Sequence, residues 1–246
     1  MNPQDHFHGL AIRGTIRRRL LVNALVDPDE AAERLPAGLR PHVIDGRTVV
    51  GCCLLEIEAI RPAGWPRAVG MPLRAAAHRI SVEWGDERGG TVAGVYVPVR
   101  HTDSHSAVLI GGRGFPGVHR PSTIEISASE STIGWRSEPI DSNGLGVRVI
   151  VSVDADGAAA AIGDEVGATC LGASVGLSFD HRGRLEAARM DPSHRDAREV
   201  TVELLESEFL DSFATAEQSR SYLMSDAEVR WTRAQSPTPS LLEVGA

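Results

Sequence analysis

The sequence has no lysine, since all 25 basic residues among its 246 are arginine. This absence excludes catalysis through a Schiff base, because that chemistry needs a side-chain amine. The 33 acidic residues give a net charge of −8. An acidic chain whose one basic run is Arg17-Arg18-Arg19 suits neither nucleic acids nor anionic membranes. We therefore predict no partner of either kind, and we expect the run to form ion pairs or a solvated strand edge.

Cysteine is also scarce, with Cys52, Cys53 and Cys170 as the three examples. Cys52 and Cys53 are neighbours that point to opposite faces of a strand, so no disulfide framework is expected and a reduced, cytoplasmic protein is predicted. Their apolar, mid-strand setting argues against a nucleophilic role. No Cys/His spacing is typical of zinc, so no metal and no other cofactor is predicted. The polar segment Met1–Gly9 does not resemble a signal peptide, and no stretch is long enough to span a membrane.

Aromatic residues make up only 4% of the chain, so the core has to be built from Val, Ile, Leu and Ala. Strands are predicted over residues 16–26, 39–43, 48–60, 78–84, 91–100, 121–129, 132–137, 146–154, 176–180, 199–206 and 227–233. Helices are predicted over 28–35, 105–110 and 158–170, with Asp27 as the cap of the first and Thr102-Asp103-Ser104, Asp103 above all, as the cap of the second. Many short strands with few helices indicate an α+β fold that is mainly antiparallel β and closes or doubles over.

The domain organisation follows from the same pattern. Residues 1–15 are predicted to be an N-terminal extension, residues 16–234 a single domain, and residues 235–246 a loose tail that contains Pro237 and Pro239. No internal repeat divides the chain.

One segment carries a family resemblance. Gly112-Arg113-Gly114-Phe115-Pro116-Gly117-Val118 resembles the Gly-Arg-Glu-x-x-Gly-Phe/Tyr-Pro-Lys-Lys stretch of acetoacetate decarboxylases. Gly94-Val95-Tyr96-Val97-Pro98 and the segment His101–Ala107 precede it in the family's order. The stretches Leu35–Leu39 and His78–Trp84 are similar to a lysine-free branch of the superfamily. The resemblance covers about residues 16–125 and is weak beyond Ile140. It implies an antiparallel sheet closed into a barrel or cone around a ligand cavity.

The departures from the decarboxylase pattern concern its chemistry. Gly117 and Val118 stand where the resemblance places the lysine pair, and Gly114 stands where it places a glutamate. Without the lysine, decarboxylation through an imine is excluded. The resemblance then implies a cavity that does different chemistry.

Two residues near this segment are candidates for binding and catalysis. Arg113 lies between glycines and could hold a carboxylate or enolate through two hydrogen bonds; the alternative is an arginine that ties the loop to the sheet. His119 follows the missing lysine pair and could serve as a general acid or base; the alternative is a solvent-facing histidine at a strand start.

Further candidates lie on the strands. Glu56 would be a catalytic acid if its face of the strand points into a cavity, and the alternative is a wet outer face. Arg79 raises the same question as a substrate-binding residue. Trp84, Tyr96 and Phe115 are expected to line the cavity or to pack the core. His101 and His105 have a metal-like spacing, but no third ligand accompanies them.

Two functions remain open at this level. The first is a small-molecule enzyme of the isomerase, dehydratase, lyase, cyclase or hydrolase type, in secondary metabolism, which acts by non-covalent acid–base chemistry on an enolisable keto or carboxylate compound. The second is a non-catalytic carrier of a small ligand. The orientation of Glu56, Arg79 and His119 discriminates them, because catalysis needs reagents inside the cavity. Self-association is compatible with either function.

Overall fold

A computed structural model describes residues 11–86, 89–141, 144–154, 159 and 163–237. Most of the predicted N-terminal extension, most of the predicted tail and the first part of the predicted helix within 158–170 lie outside the described residues. None of the helices in the described ranges is long and apolar enough to cross a membrane.

The described residues form fourteen strands, four short α-helices and a 3-10 turn over Arg67–Val69. The strands are β1 (Ile12–Val26), β2 (Arg40–Pro41), β3 (Val43–Ile44), β4 (Arg47–Pro62), β5 (Met71–Gly85), β6 (Thr91–Thr102), β7 (Arg120–Ala128), β8 (Thr132–Pro139), β9 (Val147–Ser152), β10 (Val175–Phe179), β11 (Leu185–Pro192), β12 (Arg198–Ser207), β13 (Glu217–Gln218) and β14 (Ser221–Ala234). The helices are α1 (Pro28–Ala32), α2 (His105–Ile110), α3 (Glu165–Gly172) and α4 (Glu208–Asp211). The predicted fold class, α+β and mainly antiparallel with few short helices, is confirmed.

Seven of the strands close into a ring. β1 pairs with β4, β4 with β5 and β5 with β6, all antiparallel. β6 then pairs in parallel with β10, and β10, β11, β14 and β1 complete the circuit in antiparallel pairs. Because side chains alternate across a strand, each of these strands has one face inside the ring and one outside.

A second layer covers part of the outside of the ring. β7, β8, β9 and β12 form an antiparallel sheet that joins the ring through the β6–β7 and β12–β14 pairings. Its apolar side chains, among them Trp135 and Val149, form one core cluster with Leu20, Cys52 and Leu54 of β1 and β4. The even-numbered positions of β4 in this region therefore face the second layer, which leaves the odd-numbered positions facing the inside of the ring.

Local signals explain the turns and caps. Asp27 caps α1, and Pro28 occupies its first position, as predicted. Asp45 and Gly46 have φ values of 46° and 75°, the left-handed backbone that a tight hairpin between β3 and β4 requires. The cap of α2 is Ser104, the last residue of the predicted capping segment, whose side chain accepts from the backbone N–H of Ala107.

Asp103, the predicted cap, instead accepts a hydrogen bond from the backbone N–H of Arg74 at 3.1 Å. The sequence prediction also missed β11. That strand contains Leu185-Glu186-Ala187-Ala188-Arg189-Met190, which has no β-branched residue and therefore no local strand signal. Pairing on both sides, with β10 and with β14, holds it in the ring.

Candidate active site

The ring encloses a cavity of about 370 Å³. Five alternate residues of β5 contribute to its wall: Met71, Leu73, Ala75, Ala77 and Arg79. They share one face because the strand repeats every two residues. The small alanines in the middle leave room for a ligand. Met71 and Ile110, which both line the cavity, are 49% and 50% exposed, so the cavity wall reaches the surface at these residues.

Arg79 lies at the closed end of this row. It is only 3% exposed, and its Nη2 donates to the side-chain oxygen of Asn23 on β1. Its Nε has no hydrogen-bond partner. An unpartnered buried guanidinium N–H is costly, because desolvation is not compensated. Arg79 is therefore prepared to donate to a ligand.

Arg19 brings a second guanidinium to the cavity. The β1–β4 pairing has an irregularity between Ile16 and Arg18, after which Arg19 lies opposite Leu55, another residue of the cavity wall. Arg19 is 5% exposed, and neither its Nε nor its Nη1 has a partner. Its neighbour Arg18 points to the other face and pairs with Glu56.

Arg100, on β6, supplies a further guanidinium of the wall, as does Arg61, which donates to the carbonyl oxygens of Ala59 and Trp65. Nη1 of Arg100 donates to the carbonyl oxygen of Pro116 at 3.3 Å, and its Nη2 to the hydroxyl of Ser178 at 3.5 Å. Burial lowers the pKa of Arg100 below its usual value. A guanidinium with a usual pKa above 12 still keeps its charge at neutral pH.

Among the described residues, the cavity lining that holds Arg19, Arg79 and Arg100 contains no Asp or Glu. None of these three arginines takes part in a described ion pair. A buried charge without a counter-ion is strongly unfavourable. An anionic ligand would supply the missing charge and accept the unused N–H groups, as carboxylates do with arginine.

His119 lies on the same wall. Its Nδ1 is 3.2 Å from the carbonyl oxygen of Gly117. A carbonyl oxygen only accepts, so Nδ1 carries the proton and Nε2 has a free lone pair. Burial, the nearby charge of Arg100 and, in the opposite sense, the Gly117 carbonyl together lower the pKa of His119 to about 3. The imidazole is neutral at physiological pH.

Glycines make room for the side chains of Arg100 and His119. A Cβ at Gly117 would lie 2.5 Å from Nη1 of Arg100, and Gly117 has a φ of 90°. A Cβ at Gly111 would collide with the His119 ring. Phe115, in the same loop, lines the cavity. The glycine-rich segment noted in the sequence thus gives Arg100 and His119 their positions.

The structure brings together only some of the predicted site residues. Arg79, Phe115 and His119 line one cavity. Glu56 does not, because it lies on the outer face between the inward-pointing Leu55 and Ile57 of β4 and pairs with Arg18. This placement corrects the expectation of a cavity acid at Glu56.

Arg113, Trp84 and Tyr96 also lie away from the cavity wall. Arg113 is exposed and donates from Nη1 to the carbonyl oxygen of Leu109 at 2.9 Å. Trp84 shares the outer face of β5 and is buried in a core cluster with Tyr96. Tyr96 stacks edge-on against Phe179, with 6.2 Å between ring centroids. Trp84 and Tyr96 therefore pack the core, which was the alternative expected for them, and the placement of Arg113 does not support its predicted role in substrate binding.

Sequence reasoning did not propose Arg19, Cys53 and Arg100, which all line the cavity. Alternation within β4 places Cys53 on the face opposite Cys52, but it does not tell which face is inside. Arg19 was hidden in a basic run whose other two members, Arg17 and Arg18, do form ion pairs. The described residues contain no group of three or more His, Cys, Asp or Glu side chains that could hold a metal ion.

The architecture of this chain resembles that of proteins with solved structures. No family model matches the chain, and no curated protein gives a significant sequence match. Solved structures do match. Acetoacetate decarboxylase from Legionella pneumophila superposes with a TM-score of 0.59 at 12% identity, over 90% of this chain and 85% of that one. An acetoacetate decarboxylase-like enzyme from Sphingomonas wittichii RW1 has a TM-score of 0.58 at 16% identity, over 96% and 98%.

A third match is the enduracididine biosynthesis enzyme MppR, complexed with the condensation product of pyruvate and imidazole 4-carboxaldehyde. Its TM-score is 0.60 at 14% identity, over 92% of this chain and 87% of that one. The chain has the acetoacetate decarboxylase-like fold. Within that fold, this chain has Gly117 and Val118 where the resemblance places the lysine pair. The guanidinium of Arg100 lies beside Gly117.

Proposed function

We propose that the protein is a small-molecule enzyme that binds an enolisable carboxylate inside the ring and acts on it without an amine nucleophile. The observation that carries this proposal is that three of the four arginines on the cavity wall, Arg19, Arg79 and Arg100, have no acidic residue beside them among the described lining residues. Their unused N–H groups suit a carboxylate and, beside it, the oxyanion of an enolate.

His119 supplies the proton-transfer group. With the proton on Nδ1, Nε2 carries a lone pair, and burial together with the charge of Arg100 keeps the ring neutral. Proton removal from carbon beside a carbonyl is favoured when cations stabilise the enolate that forms. The imidazole is a weak base, because its pKa is about 3, so the arginines must stabilise the negative charge strongly for it to accept and return the proton. Because Arg79 and His119 face the inside of the cavity, their placement favours an enzyme over a non-catalytic carrier.

The size and chemistry of the wall limit the substrate. A water molecule takes about 30 Å³ in the liquid, so a cavity of about 370 Å³ is far larger than an acid as small as pyruvate needs. Apart from the arginines, Cys53, His119, Ser106 and Ser174, the wall is mostly apolar, with Leu55, Ile57, Leu73 and Trp231 among its members. The proposed substrate is therefore a keto acid or related carboxylate with an apolar body.

Thermal stability tests the carboxylate site. Each 2- or 3-oxo acid is compared with its own amide, which has the same shape and no charge. At a hundredfold its Kd a ligand adds about 2.7 kcal/mol, which for a domain of this size raises Tm by about 5–11 °C. We expect the acids to raise Tm and the amides to have little effect, and we expect Arg79→Gln to remove the difference. Arg113→Ala is the matched control outside the cavity and should retain it.

Turnover is tested by hydrogen exchange. In D₂O, an enzyme of this kind should exchange the hydrogens beside the carbonyl of a bound oxo acid for deuterium, as followed by NMR. His119→Gln should bind the acid and lose the exchange. Binding without exchange in the native protein would favour the carrier, and equal Tm shifts from acids and amides would refute the anion site.

A further inference from the structure

Cys53 occupies the centre of the arginine-lined wall. Leu21, Cys53, Ala77 and Arg100 form one row across β1, β4, β5 and β6, each directly opposite the next. Cys53, Ala77 and Arg100 line the cavity, so this row faces the ligand space. The small side chain of Ala77 leaves the space between Cys53 and Arg100 open.

Two further arginines flank the same thiol. Arg19 on β1 and Arg79 on β5 are diagonal neighbours of Cys53, each two residues from its direct partner. Diagonal neighbours lie about 7–8 Å apart at Cα, a distance that long side chains bridge. Both arginines are at least nine-tenths buried and have unpartnered N–H groups. The thiol is therefore surrounded by cations that are free to hold an anion.

The other two cysteines differ from Cys53. Cys52 faces the second layer, where its Sγ lies 3.3 Å from Nδ1 of His78, and burial raises its pKa to about 12. Cys170, in α3, is fully buried and its Sγ contacts the side-chain oxygen of Asn23 at 3.4 Å. Neither lines the cavity. Of the three thiols, Cys53 is the one that a ligand in the cavity can reach.

We propose that Cys53 is a covalent capture site, whose thiol adds reversibly to the carbonyl carbon of an oxo acid held by Arg19, Arg79 and Arg100. The inference rests on the proposed function, since it uses the same carboxylate site. The sulfur–carbon bond forms as the carbonyl π bond breaks, and the thiol proton moves to the former carbonyl oxygen. The product is a thiohemiketal, and no oxidant, reductant or further reactant is needed.

The cations favour this addition for two reasons. They stabilise the alkoxide that forms from the carbonyl as the thiol adds to it. The carboxylate on the guanidiniums also holds the neighbouring carbonyl near the sulfur, which turns the addition into a reaction within one complex. The captured carbon returns to the free ketone when the proton goes back.

Isotope-labelled ligand tests the bond directly. An oxo acid carrying ¹³C at its carbonyl carbon is added to the native protein, Cys53→Ser and Cys52→Ala, with circular dichroism and Tm as folding checks. We expect a new signal in the region of saturated carbon bonded to oxygen and sulfur, present in the native protein and in Cys52→Ala and absent in Cys53→Ser. A signal that persists in Cys53→Ser, or that never appears in the native protein, would overturn the proposal.

Alkylation gives a second readout that does not depend on the true substrate. Iodoacetate carries a carboxylate and iodoacetamide does not, so electrostatic steering should make iodoacetate react with Cys53 about tenfold or more faster. Peptide mass mapping identifies the labelled cysteine. The preference should disappear in Arg79→Gln. Equal rates for the two reagents in the native protein would contradict a cation-flanked thiol.

The two proposals fail in different ways. If oxo acids still raise Tm more than their amides while no adduct forms, the carboxylate site stands and the capture by Cys53 is wrong. If acids and amides have equal effects on Tm, the carboxylate site itself is wrong, and the capture proposal falls with it. In Cys53→Ser the acid-dependent Tm shift should be smaller than in the native protein but still present, because the arginines supply the ion pairing and the adduct adds to it.

Discussion

The guanidinium of Arg100 occupies the space into which a side chain at Gly117 would project. Nη1 of Arg100 lies 2.5 Å from the place of a Cβ at position 117, and the Cβ of Ser178 lies 3.1 Å from it. A lysine at position 117 and the present conformation of Arg100 are therefore mutually exclusive. The chain has no amine at this point and has instead a permanent cation delivered from β6. Such a cation can hold an anion or stabilise an oxyanion, but it cannot form an imine.

Gly117→Ala tests this relationship. The new Cβ should displace Arg100 and also strain a backbone with φ of 90°, so we expect a loss of about 1–2 kcal/mol of stability and of most carboxylate binding. Gly38→Ala is the matched control, since Gly38 has a φ of 87° and no atom within 4 Å of a Cβ. It should show the strain without the loss of binding. Equal binding by both variants in calorimetry would refute the link.

Arg19→Met is expected to stabilise the ligand-free protein. The substitution replaces a buried, unpaired charge by an apolar side chain of similar length, which should raise the free energy of unfolding by about 1–3 kcal/mol. Tm should rise by about 2–4 °C per kcal/mol. The same variant should lose the acid-dependent Tm shift, because function and stability compete at such a site.

Arg18→Met is the control for Arg19→Met. Arg18 and Glu56 form a partly exposed ion pair outside the cavity, with 35% and 24% of their side chains exposed. Such pairs contribute at most about 1 kcal/mol, so the variant should be slightly less stable and should bind the acid normally. A loss of stability in Arg19→Met, measured by denaturant unfolding, would mean that the guanidinium is compensated in the folded protein.

The class of fold and the glycine-rich loop could be predicted from the sequence, because both depend on local signals. Two such signals are the turn residues Asp45-Gly46 and the helix cap Asp27. The inner wall depends on which face of each strand points into the ring. That choice is set by distant pairings and by one irregularity near Arg18, so Glu56 was expected inside and Arg19 outside.

The tautomer of His119 can be checked by NMR. Long-range ¹H–¹⁵N spectra should show the proton on Nδ1, and the ring should remain neutral down to about pH 4, because its pKa is lowered to about 3. His181 is an internal contrast, since its Nε2 lies 3.0 Å from the carbonyl oxygen of Gly111 and must carry the proton there. Exchange rates of a bound oxo acid should then show no inflection near pH 6.5 from His119. A titration of this ring near pH 6.5 would contradict its buried position beside Arg100.

His78 should make stability depend on pH. Its ring is fully buried, with Nε2 3.0 Å from the Leu145 carbonyl oxygen and Nδ1 3.3 Å from Cys52. Burial lowers its pKa to about 4, and His101 at 5.8 Å acts in the same direction. The unfolded chain therefore binds more protons than the folded protein between about pH 6.5 and pH 4. The stabilisation is fully present above pH 6.5 and is lost as the pH falls through this window.

The pKa of His78 is about two and a half units lower in the folded protein than in the unfolded chain. Each unit is worth about 1.4 kcal/mol, so the protein loses about 3 kcal/mol of unfolding free energy when the ring is fully protonated. We expect His78→Gln to be less stable than the native protein at pH 7, because it loses packing against Phe209. The difference should shrink by about this amount as the pH falls to 4, because glutamine does not titrate. Urea unfolding at pH 7, 5.5 and 4 measures it. A difference that stays constant across these pH values would show that His78 protonates as easily in the folded protein as in the unfolded chain.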